Sequence, residues 1–186
     1  MFPILIDTDS VNIVLIGEGD DALRRLRLLD EAGASRLDVY ARDPAPDYAS
    51  AIGDRLRGAR PEAGALEAAR VVFIAGLEEA EAERLAEAAR AAGALVNTED
   101  RRALCDFHVP AMLRRGELTL TVSTGGKSPG LARRLKRYLA EKFGPEWGGR
   151  LDELARQREM WRDEGTGIAE LGRRTDALID EKGWLS

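Results

Sequence analysis

Apolar residues in this chain arrive first in short dense runs and then in stripes. Val11-Asn-Ile-Val-Leu-Ile16 is a β-branched run that stops at Gly17-Glu-Gly19. Such a run meeting glycines predicts a strand entering a tight turn. From Asp20 the period becomes helical, with Ala22, Leu26 and Leu29 on one stripe, Arg24, Arg25 and Arg27 largely outside it, and Gly33 as the stop. Leu37–Ala41 and Val71–Ala75 predict further strands. Glu78–Ala92 predicts a helix with Ala82, Leu85, Ala89 and Ala92 inward, and Ala94–Asn97 begins another strand. Strands alternating with helices call for a parallel sheet with right-handed crossovers, a doubly wound α/β arrangement whose limit is expected near Leu104.

The pattern then changes. Phe107–Met112 and Glu117–Ser123 read as strands separated by Arg114-Arg-Gly116; Leu118, Leu120 and Val122 alternate with Thr119, Thr121 and Ser123. Ser128-Pro129 supplies a helix N-cap and a first-turn proline, ahead of an apolar stripe of Leu131, Leu135, Tyr138 and Leu139. Beyond Gly144-Pro145, two helices are expected at roughly 147–164 and 167–181. They carry no catalytic motif, so packing or partner contact is their expected role.

Composition narrows the classes. A net charge of −5 argues against a general nucleic-acid binder. Arg133, Arg134, Lys136 and Arg137 are a local exception, read either as a solvated helix face or as a surface for a polyanionic small molecule. The single cysteine, Cys105, cannot form an internal disulfide, and the N-terminus has no secretory pattern, which points to the cytoplasm. No apolar run reaches the roughly 20 residues needed to span a bilayer. One histidine, His108, beside one thiol does not make a metal-ligand set, and no metal site is expected.

Gly17-Glu-Gly-Asp-Asp-Ala22 fits the G-x-G-x-x-[GA] fingerprint. Gly17 allows the tight turn, Gly19 lets backbone approach a pyrophosphate, and Ala22 allows close helix packing, with Asp20 at the helix start. Helix amides and macrodipole favour the phosphates, while Asp20 and Asp21 add opposing negative charge. Asp43, just past the second strand, is the candidate ribose ligand, which favours NAD; neighbouring Arg42 leaves NADP open. Asn97, ending a strand on the same sheet, is a further cofactor-side candidate. Asp100 lies beyond that strand, where open α/β sheets place ligands, and reads as a general base or as a loop or cap aspartate. Gly126-Lys-Ser128 is no Walker A loop, which would need glycine where Thr121 stands.

Val96-Asn-Thr-Glu-Asp100, Cys105-Asp-Phe107 with Pro110-Ala111, and Ser123-Thr-Gly-Gly-Lys-Ser-Pro129 with Leu131-Ala-Arg133 together resemble the precorrin-2 dehydrogenase and sirohydrochlorin ferrochelatase family, over roughly residues 1–143. The same module forms the N-terminal part of sirohaem synthases. The resemblance implies NAD-dependent oxidation of the tetrapyrrole precorrin-2 to sirohydrochlorin in an interlocked homodimer, with insertion of ferrous iron in some members. It implies a catalytic aspartate at Asp100 and a substrate-site serine at Ser128. Ser123, Gly125, Gly126, Lys127 and Arg133 share that segment; helix-start amides and cations there suit the substrate's carboxylates. The domains implied are a NAD-binding Rossmann-like domain over 1–104, a dimerisation and tetrapyrrole segment over 105–145, and a helical region over 146–186. The chain departs from the family at Glu18, at Asp21 and at Ala75-Gly-Leu-Glu78, all on the cofactor side. A tetrapyrrole carrier or chelatase with redox activity lost is therefore the competing reading.

Overall fold

A computed structural model describes residues 2–185. The chain divides into two compact units, 1–108 and 109–186, so the first unit runs past the expected limit at Leu104 to His108.

The first unit is a five-stranded parallel sheet in the order β3-β2-β1-β4-β5, made of β1 (Ile13–Gly17), β2 (Leu37–Tyr40), β3 (Leu56–Gly58), β4 (Val71–Ala75) and β5 (Leu95–Thr98). Strands β1 and β4 are buried along their whole length because helices cover both faces, which is why they read as unbroken apolar runs. On one face Val14, Ile16, Val72, Ile74 and Val96 pack with Leu66 of α3 (Ala63–Ala68) and with Ala82, Leu85, Ala86 and Ala89 of α4 (Glu79–Ala91). On the other face α1 (Gly19–Glu31) lies over β1 and β4 and packs against α2 (Pro46–Ile52). The chain leaves β1 toward β2 and β3, then returns to the opposite side at β4. The strand order thus reverses between β1 and β4, the switch point outside whose carboxyl ends open α/β sheets bind their ligands.

The second unit is a hairpin of β6 (Ala111–Arg115) and β7 (Leu118–Val122), with α5 (Pro129–Lys142), α6 (Glu146–Asp163) and α7 (Ile168–Glu181). Arg115 pairs with Leu118, so Gly116-Glu117 is the two-residue turn, and Gly116 has φ 58. Two expectations are corrected. Residues Phe107–Pro110 are not strand, and Arg114 and Arg115 belong to β6 rather than to its turn. Phe107 is held instead by an edge contact with Phe73, ring centroids 5.5 Å apart. The stripe Leu131, Leu135 and Tyr138 is exposed rather than packed, and Ala132 is the buried residue of α5. Trp147, buried at the start of α6, stacks against Phe143 at 5.0 Å, and Arg150 covers it at 4.9 Å.

Candidate functional site

The glycine turn is built for close approach. A Cβ on Gly17 would overlap the Ala75 carbonyl oxygen and stand 2.8 Å from the Ala22 Cβ, so β1, β4 and α1 meet there at a distance only glycine permits. Gly19 has φ 65, a left-handed conformation that turns the chain into α1. Asp20 is exposed in the first turn, and Asp21 is paired with Arg24. Asp43 follows β2 with φ 45, exposed beside Arg42. It follows the carboxyl end of β2, the strand beside β1.

Two strands away the backbone is equally constrained. Asn97 is 5% exposed; its Nδ2 donates to the Phe107 carbonyl at 2.9 Å, while its buried Oδ1 has no partner. A buried acceptor left open at the carboxyl end of a parallel strand fits an incoming amide donor. Asp100 has φ 56, unusual for a residue with a side chain, and its side chain is exposed. Its loop is tied on every side. Glu99 N donates to Ile74 O at 2.8 Å, and Arg101 Nη1 donates to Leu77 O at 3.0 Å. The Cys105 thiol donates to Thr98 O at 3.1 Å and accepts from Thr98 N at 3.3 Å. Burial pushes that thiol's pKa up, so Cys105 is a structural tie rather than a nucleophile. His108 is half-buried, and no group of three or more potential metal ligands forms among the described residues.

Arg25 is a residue the sequence reading misplaced. It is 8% exposed, pairs with Glu99 and lies over the Phe73 ring at 5.1 Å, joining α1 to the Asp100 loop. The signal was present in the spacing, since Arg25 falls three residues after Ala22 and on the same face as Leu26 and Leu29. Asp106, within the Cys105-Asp-Phe107 motif, has a structural role that the motif does not announce. Its carboxylate accepts from Val96 N at 2.9 Å and pairs with Arg90, closing the edge of β5.

In the second unit, Ser123, Gly125, Gly126, Lys127 and Ser128 come together at the start of α5. Ser128 caps the helix as expected, its Oγ accepting from Leu131 N at 3.3 Å. Thr124 Oγ1 donates to Ser128 O at 3.1 Å and accepts from Ser128 N at 3.2 Å. Gly125 and Gly126, with φ 60 and 78, make the bend that brings these groups to the helix start. Lys127 and Arg133 are exposed beside them, so cations surround a helix N-terminus. No helix among the described residues is long and apolar enough to cross a membrane.

Comparison with known proteins agrees with this geometry. Residues 4–111 match the family described as putative NAD(P)-binding, and residues 115–142 match the central segment of sirohaem biosynthesis proteins. The siroheme synthase of Ectopseudomonas mendocina is 38% identical over 148 residues, covering 78% of this chain and 31% of that protein. The siroheme synthase of Chromobacterium violaceum is 36% identical over 167 residues, covering 87% and 34%. The chain thus spans about a third of the length of these curated relatives. A solved structure titled "SirC, precorrin-2 dehydrogenase" shares the fold with a TM-score of 0.77 at 19% identity, covering 100% of this chain and 93% of its own. One model spanning more than half of the chain, with the sirohaem segment next to it, shows that the chain belongs to the family of putative NAD(P)-binding proteins.

Proposed function

We propose that this chain oxidises precorrin-2 to sirohydrochlorin with NAD. The observation that carries the reading is that a dinucleotide turn at Gly17-Glu-Gly19 and a strained, tightly held Asp100 share the carboxyl edge of one parallel sheet. Gly17, Gly19 and Ala22 would hold the pyrophosphate against the amides of α1, with Asp20 at the rim. Asp43 would accept from the ribose hydroxyls, and the open Asn97 Oδ1 would accept from the carboxamide of the nicotinamide. NAD, when bound, supplies the hydride acceptor.

The oxidation removes two hydrogens from the macrocycle, one as hydride and one as a proton. Asp100 is the base for that proton: its side chain is exposed to substrate while its backbone is fixed by the ties around it. The many carboxylates of the tetrapyrrole suit the α5 start, where Ser123, Gly125, Gly126 and Ser128 shape the loop and Lys127 and Arg133 supply positive charge. Ferrous iron as a second substrate would call on Asp100 to accept protons from the pyrrole nitrogens. Cobalt insertion into sirohydrochlorin without NAD tests that step. Tetrapyrrole binding with no uptake of NAD would instead favour the carrier reading.

The second unit supports a homodimer. A two-stranded hairpin is marginal alone, and Leu131, Leu135 and Tyr138, at 48%, 39% and 54% exposure, form one helical stripe open to solvent. A second copy is the partner of matching apolar character. Cytoplasmic residence is the compartment this chemistry suits. Anaerobic incubation with precorrin-2 and NAD tests the function: the spectrum of sirohydrochlorin should develop only when both are present.

A further inference from the structure

The ion-pair cluster at the glycine turn takes no part in the steps above. Glu18 places a carboxylate inside the very turn that a dinucleotide's phosphates must approach. Its backbone has little freedom, because Glu18 N donates to Ala75 O at 3.1 Å and a Cβ on Gly76, φ 67, would overlap the Glu18 carbonyl. The side chain therefore stays at the turn, and its Oε1 meets Arg60 Nη2 at 2.7 Å. Arg60 is itself clamped. Its Nε donates to Glu81 Oε1 at 2.6 Å, its Nη2 to Glu81 Oε2 at 3.0 Å, and its Nη1 to Ala59 O at 2.6 Å.

These four hydrogen bonds employ most of the five N–H donors of a guanidinium. Arg60 is thus a fixed counter-charge rather than a free arm for a ligand. Arg42 Nη2 stands 3.8 Å from Glu81 Oε1, the oxygen that also accepts from Arg60 Nε. Two carboxylates and two guanidiniums balance to zero, whereas loss of Arg60 would leave a net negative charge beside an anionic ligand. The Arg60 hydrogen bond holds the Glu81 carboxyl below its ordinary range, as expected of a standing ion pair.

We propose that Arg60, clamped by Glu81, is a positioning residue that neutralises Glu18 and so admits the pyrophosphate of a dinucleotide to the start of α1. This rests on the dinucleotide reading above. It also accounts for how a turn with glutamate at its middle position serves an anionic ligand.

Calorimetric titration of the full chain with NAD, and separately with NADP, at low salt where screening is weak, tests it. Arg60→Met should raise the Kd for NAD about fivefold, the upper scale of one lost charge pair near the surface. Glu18→Gln should bind NAD at least as tightly as the wild type, and Arg60→Met added to Glu18→Gln should cost nothing further. Arg60→Lys, which keeps the positive charge beside Glu18, should stay within about twofold of the wild type, and a full loss in it decides against the inference if Arg60→Met does not fold. An equal loss on removing Arg60 in both Glu18 backgrounds would show the guanidinium contacting the ligand directly, and would overturn the inference. So would wild-type affinity in Arg60→Met. A wild-type chain that takes up neither NAD nor NADP would overturn the dinucleotide reading and this inference with it.

Discussion

Single atoms decide several features of this molecule. At Gly17 the missing Cβ is what lets β1, β4 and α1 converge, and at Gly76 a positive φ combines with the Glu18 carbonyl directly over the Cα. Gly17→Ala and Gly76→Ala should each destabilise the fold by about 1–3 kcal/mol, the range for forcing atoms into a packed site. Urea titration checks this, and wild-type midpoints in both would contradict the close contact. Tyr48 is buried with its hydroxyl unpartnered, and burial with the nearby Glu18 carboxylate pushes its pKa up to about 12. Cys105 has a raised pKa and two backbone hydrogen bonds to Thr98, so iodoacetamide at pH 8 should label it more slowly than it labels a small free thiol, with the rate rising on unfolding. Much of this scale was hidden from the sequence. The fingerprint glycines were legible from spacing, but the burial of Arg25 was obscured by its arginine neighbours, and the Glu18–Arg60 pair joins residues 42 positions apart.

Among elements, the ion pairs that tie loops to the sheet respond to pH in a defined direction. Arg60 holds the Glu81 carboxyl below its ordinary 4.5, so folding releases a proton there. The stabilisation is present above about pH 4.5 and is lost as the pH falls through the lower folded value. The stability gap between wild type and Glu81→Gln should therefore shrink between pH 6 and pH 3.5 in denaturant titrations, and a gap that widens in acid would contradict the pairing. At the α5 start, Ser128→Ala removes the acceptor for Leu131 N and should cost about 1 kcal/mol. Strands β1, β4 and β5 and helices α1 and α4 were readable because burial on both faces or on one stripe leaves a strong period. Strand β3 was not, since Leu56-Arg-Gly58 is three residues long, on an edge, and carries no apolar run. The apolar character of Phe107–Pro110 suggested a strand, whereas Phe107 packs its ring on Phe73 without pairing in a sheet.

For the whole molecule, the sequence disclosed the doubly wound sheet through the alternation of its periods, and a family resemblance through motifs from β5 onward. It did not disclose that Leu131, Leu135 and Tyr138 of α5 are exposed, because amphipathicity alone does not tell a core from an interface. Leu131→Glu together with Leu135→Glu should convert a dimer to monomer in sedimentation equilibrium, placing charge in the centre of the apolar face. An unchanged mass would place the interface elsewhere. That the glycine turn and Asp100 serve one oxidation is tested most directly by anaerobic absorbance in the NADH band after mixing precorrin-2 and NAD with wild type and with Asp100→Asn. Wild type should form one NADH per tetrapyrrole and the variant should form it at least about a hundredfold more slowly, roughly the effect of removing a general base. Equal rates in the two proteins, or no NADH from a wild type that binds both ligands, would contradict it.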